Sequence, residues 1–97
     1  MGINDVIVVQ FAIEHAQEIK SLLFKYGSIV YATNHPVRKG NYVQKKIWLD
    51  RPDSLDEGET GRYENQAREL IHELNQIGEV VSSQIAEFQA PSQEVHL

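Results

Sequence analysis

The sequence predicts an α+β fold, with two helices covering one face of a four-stranded antiparallel sheet. Three observations carry this expectation. Four short runs are rich in β-branched and aromatic residues. Two stretches between them place apolar residues three and four apart. The connection between the second and third runs is short and holds Pro36 and Gly40, which suits an antiparallel hairpin. The 97 residues are 41% hydrophobic and 24% charged, the size and composition of one folded domain.

Residues 6–11 are Val, Ile, Val, Val, Gln and Phe. This near-continuous apolar run suits a strand covered on both faces, hence a central one. Ala16, Ile19, Leu22, Leu23 and Tyr26 then fall on one helix face, and Gly27 is placed to end that helix in a left-handed conformation. Residues 28–33 form a second strand. Residues 34–41 read as a turn, because Pro36 interrupts pairing and Gly40 permits unusual dihedrals.

Residues 42–49 form a third strand, and residues 50–59 an acidic connection containing Pro52 and Gly58. Ser54 and Glu57 have the spacing of a capping box, and Thr60 is an equally good cap. Tyr63, Ala67, Leu70, Ile71 and Leu74 mark a second helix over about residues 61–76, closed by Gly78. Residues 79–88 read as a fourth strand and residues 89–97 as a polar tail, so the domain covers residues 1–88. The order is βαββαβ, that of ferredoxin-like domains, with the first and third strands in the centre of the sheet.

Two helices leave one sheet face open. On the third strand Val43, Lys45, Ile47 and Leu49 alternate with Tyr42, Gln44, Lys46 and Trp48. The first set is mainly aliphatic and is expected against the helices, which turns Tyr42 and Trp48 outward. On the first strand, either Val6 and Val8 or Ile7 and Val9 join that open face. A partly apolar face carrying the only tryptophan marks an interaction site.

Charge is unevenly spread. The net charge is −5, yet residues 35–52 carry Arg38, Lys39, Lys45, Lys46 and Arg51 against Asp50 alone. The expected contact residues are therefore Tyr42, Lys46 and Trp48 on the open face, with Arg38 and Lys39 in the hairpin loop. The aromatics supply contact area and the cations orientation. The expected partner is a second copy of the chain, joined sheet to sheet, or an acidic protein surface. The net negative charge disfavours nucleic acid, whose binding depends on phosphate neutralisation.

Residues 19–30 resemble the passage from helix to strand in RNA-recognition-motif domains. Residues 67–75 resemble that family's second helix, and residues 39–43 the start of its third-strand signature. The resemblance spans about residues 6–88 and implies a single-stranded RNA platform on the sheet. The positions where that family stacks bases hold Asn41 and Val43 here, and the first strand has Ile7 and Val8 where its matching aromatic stands, so stacking through Tyr42 and Trp48 requires the register to slip by one. Residues 77–81 resemble the entry to the last strand of ACT-like regulatory domains, which share the βαββαβ order and dimerise.

Catalytic and metal patterns are absent from the sequence. No cysteine is present, which excludes thiolate chemistry and disulfides and fits a reducing, cytoplasmic setting. His15, His35, His72 and His96 lack the paired spacing of a metal helix, and no phosphate loop or nucleophile elbow occurs. No metal, cofactor or membrane partner is expected. No apolar run approaches the ~18 residues of a membrane span, and the first residues lack the basic start of a signal peptide. The leading expectation is a non-catalytic binding or regulatory module. The alternatives are an RNA-recognition-like binder and a small α+β-barrel enzyme using His15, Tyr31, His35 or Tyr63 in a cleft.

Overall fold

Alternation along two nine-residue strands divides the chain into a packed face and an open one. A computed structural model describes residues 4–52 and 57–84. The strands are β1 (Asn4–Ala12), β2 (Val30–Thr33), β3 (Val37–Lys39), β4 (Tyr42–Asp50) and β5 (Glu79–Gln84). The helices are α1 (Ala16–Lys25), entered through a 3-10 turn at Ile13–His15, and α2 (Glu57–Ile77). The architecture is α+β, with an antiparallel five-stranded sheet. Its order is β2-β4-β1-β5, and β3 also pairs with β4. β1 and β4 hold the centre, as the apolarity of both strands anticipates.

The alternation falls as expected. Ile7, Val9 and Phe11 of β1 and Val43, Ile47 and Leu49 of β4 are buried. They share one core with Ile19, Leu22 and Leu23 of α1 and Tyr63, Ala67, Leu70 and Leu74 of α2. Burying each of the larger aliphatic side chains stabilises the fold by roughly 1.5–3 kcal/mol. Ala16 is exposed and stands outside this core.

The four expected strands are five, because residues 37–39 pair with β4 instead of turning. Their side chains are all exposed, so no burial pattern betrays the strand, and charged residues are what an edge strand carries. Between β2 and β3, Pro36 has no N–H to contribute. Asn34 bridges the gap: its N–H donates to the Lys46 carbonyl at 3.2 Å, and its Oδ1 accepts the Lys46 N–H at 2.8 Å. The turn itself is Gly40-Asn41, since Lys39 pairs with Tyr42. Gly40 has φ 66° and Asn41 an ordinary φ, which is the requirement of a type II′ hairpin turn.

α1 ends differently from expectation. Gly27 is not left-handed, because Gly40 is the only described residue with positive φ. The Gly27 N–H instead donates to the Phe24 carbonyl at 3.1 Å, and the N–H groups of Ile29 and Val30 both reach the Tyr26 carbonyl at 3.0 Å. These bonds tighten the last turn and lead directly into β2.

α2 begins earlier than its apolar spacing implies, taking Gly58 and Thr60 into the helix. Glu57 and Glu59 lie in its first turn, where negative charge is favourable. Ser54 lies outside the described residues, as do residues 85–88 of the expected fourth strand and the tail at 89–97. At the other end of α2, Gly78 lets the chain pass over β1. An added Cβ there would stand 2.4 Å from the Gln10 carbonyl oxygen and 2.8 Å from Phe11 Cβ.

Polar pairs join the two helices. The Tyr26 hydroxyl donates to Glu73, and Lys25 Nζ lies 3.1 Å from the same carboxylate. Burial and the Glu73 bond push the Tyr26 hydroxyl up to about 12. The Tyr26 and Lys25 contacts hold the Glu73 carboxyl below the usual range. Among the described residues, no helix is long and apolar enough to cross a membrane.

Candidate binding surface on the open sheet face

The strand register assembles the open face residue by residue. Val6 lies opposite Trp48, Val8 opposite Lys46, Gln10 opposite Gln44 and Ala12 opposite Tyr42. On the outer side of β4, Ala32 lies opposite Trp48, while Val37 meets Gln44 and Lys39 meets Tyr42. Of the two sets left open on the first strand, Val6 and Val8 face outward. Ile7 and Val9 are fully buried on the packed face.

The face has two apolar poles. One is Trp48 with Val6, Val8 and Ala32. The other is Tyr42 with Ala12 and Val37. Gln44 Nε2 donates to Gln10 Oε1 at 3.1 Å between them, which links the two amides across the strand pair. Lys46 sets its ammonium 5.7 Å from the centroid of the Trp48 ring, a cation–π arrangement that also holds the indole in place. Tyr42 is 51% exposed, and Trp48, Val6 and Val8 are half-buried. Among the described residues, no element lies across this face.

The expected site residues do not all stay together. Tyr42, Lys46, Trp48 and Lys39 share the open side. Arg38 stands opposite Val43, which places it on the other side of the sheet edge. Its Nε donates to the Gly40 carbonyl at 3.2 Å, so Arg38 braces the hairpin. Arg38 and Lys39 belong to β3 and not to a loop. Val43 is buried and Asn41 lies in the turn, so neither reaches the surface where bases would stack. Tyr42 and Trp48 do.

A second polar cluster has no counterpart in the sequence reading. Asp5 is 2% exposed. Its Oδ2 accepts the Tyr63 hydroxyl at 2.6 Å and lies 2.9 Å from the Arg51 guanidinium. Arg51 in turn packs 5.3 Å from the centroid of the Tyr63 ring. The three residues tie β1, the end of β4 and α2 together. Burial and the bond to Asp5 push the Tyr63 hydroxyl well above its usual value. The only sequence signal was an acid next to an apolar strand.

His15 contacts Glu18 through Nδ1 at 2.5 Å. Among the described residues, no group of three or more His, Cys, Asp or Glu side chains is placed to hold a metal ion. Compared with known proteins, the chain matches no family model, no curated protein and no solved structure.

Proposed function

We propose that this chain is a non-catalytic binding module of ferredoxin-like design that self-associates through the open face of its sheet. The ferredoxin-like reading is supported by the strand order. With β2 and β3 taken as one strand interrupted at Pro36, the order is fourth, first, third, second. Both helices also share their core with one face.

The observation that carries the functional reading is the setting of Trp48, which is flanked by Val6 and Ala32 and overlaid by Lys46 in a face that no described element covers. Two sheets stacked face to face, about 10 Å apart, bury such side chains against each other. A two-fold pair presents the same patch from both copies. Lys39 and Lys46 on this face, with Glu79 opposite Gln10, offer opposite charges to a second copy, which set orientation more than affinity.

The single tryptophan reports on the contact directly. Its emission is expected to shift to longer wavelength on dilution, as the indole becomes wet. An emission maximum independent of concentration, with the wavelength of an exposed indole throughout, removes the reading.

A second reading rests on Tyr42 and Trp48 sharing one face with Lys39 and Lys46, an arrangement that suits base stacking on a basic strip. It is tested by titration with a short single-stranded RNA. Saturable binding that weakens with salt supports it, and the absence of binding at low salt ends it.

A further inference from the structure

On the packed side of the sheet, a cleft of about 650 Å³ opens between α1 and the β2–β4 edge. Its walls are mostly apolar: Phe11 and Val30 from the sheet, Ile19 and Leu23 from α1, and Pro36 beyond β2. Of its polar lining residues, Gln17, Lys20 and Thr33 are exposed and Lys45 is not. Lys45 sits between Val43 and Ile47 on the helix-facing side of β4 and is half-buried.

Its ammonium donates to the Asn34 carbonyl at 3.1 Å, and among the described residues no carboxylate pairs with it. A lysine carries three donors, so this contact leaves capacity for an anionic acceptor. Burial draws its pKa down from 10.5, the mark of a cation held without full compensation. Lys20, the other cation of the cleft, is exposed at its rim.

Apolar walls around one inner cation suit a ligand with one negative charge and a hydrocarbon body. A phosphate dianion calls for several cations or a nest of N–H donors. We infer that this cleft binds a small amphipathic carboxylate, with its head on the Lys45 ammonium and its apolar body between α1 and the sheet. The site lies on the opposite side of the sheet from Trp48 and does not depend on self-association.

The test is a titration of ¹⁵N-labelled full chain with 4-phenylbutyrate and, separately, with 4-phenylbutanol, read by amide chemical shifts. Saturable shifts at Leu23, Phe24, Val30, Thr33 and Lys45 are expected with the carboxylate. A charge-assisted hydrogen bond makes binding of the alcohol weaker by about tenfold or more, and Lys45→Met imposes a similar loss on the carboxylate. Should Lys45→Met fail to fold, Ala16→Trp adds a ring at the exposed rim of the cleft and is expected to weaken binding without disturbing the core. The inference is overturned if millimolar carboxylate shifts none of these amides, if the alcohol binds as tightly, or if the shifts map to the open sheet face.

Discussion

The Tyr63 hydroxyl donates a 2.6 Å hydrogen bond to Asp5 Oδ2 across 58 residues of sequence, and Arg51 holds the same oxygen at 2.9 Å. This buried acid therefore clamps α2 to β1 and to the end of β4. Removing the acid takes away both the ion pair and the acceptor of the Tyr63 hydroxyl, whereas removing the hydroxyl leaves the ion pair in place.

Asp5→Ala, which removes both contacts, is therefore expected to destabilise the fold by more than Tyr63→Phe, which costs about 1–2 kcal/mol. Urea denaturation of the two variants checks the order. Equal losses, or a larger loss for Tyr63→Phe, would mean that the ion pair contributes little.

Alkaline pH is expected to weaken the joint between the helices. Tyr26 ionises at about 12 in the fold against a reference value of 10.0. The folded state thus keeps its proton after the unfolded state has lost one. The contribution is whole below pH 10 and is lost as the pH rises towards 12. On the acid side, the lowered pKa of Glu73 contributes stability above about pH 4.5 that is lost as the pH falls through its folded value. Stability measured from pH 9 to 11.5 should fall less steeply in Tyr26→Phe than in the parent chain. Parallel slopes would contradict the assignment.

Two glycines in or beside α2 are expected to respond with opposite signs. Gly78→Ala drives a Cβ into the Gln10 carbonyl and Phe11, neither of which is free to move. A loss of about 2–3 kcal/mol is expected, at the upper end for overpacking. Gly61 lies inside α2, with nothing within 4 Å of an added Cβ. Gly61→Ala should stabilise by about 0.5–1 kcal/mol through helix propensity and a more restricted unfolded chain. Thermal melts of both variants read the contrast directly.

The parts legible in the sequence were those with a local period. Tyr42, Lys46 and Trp48 were placed outward because strand alternation is strict and Val43, Ile47 and Leu49 left one assignment for the other face. Tyr63, Ala67, Leu70 and Leu74 announced α2 by the same logic at helical spacing. β3 escaped because all three of its residues are exposed, so pairing leaves no hydrophobic trace. The separation of Arg38 from Lys39 followed once that strand formed, since neighbours on a strand point to opposite sides. The Asp5–Arg51–Tyr63 cluster joins residues far apart in sequence, and only the pairing of β1 with β4 and the packing of α2 on them bring the three together. Lys45 was expected on the helix side, but its cleft depends on how α1 crosses the β2 edge.

Light scattering across a range of concentrations, on the parent chain and on Trp48→Glu, tests self-association through the sheet most directly. The parent is expected to approach twice the chain mass of 11.1 kDa, and Trp48→Glu to stay at the single-chain mass while keeping its secondary structure. A parent that remains at the single-chain mass at every concentration, or a Trp48→Glu variant that dimerises as well as the parent, would contradict it.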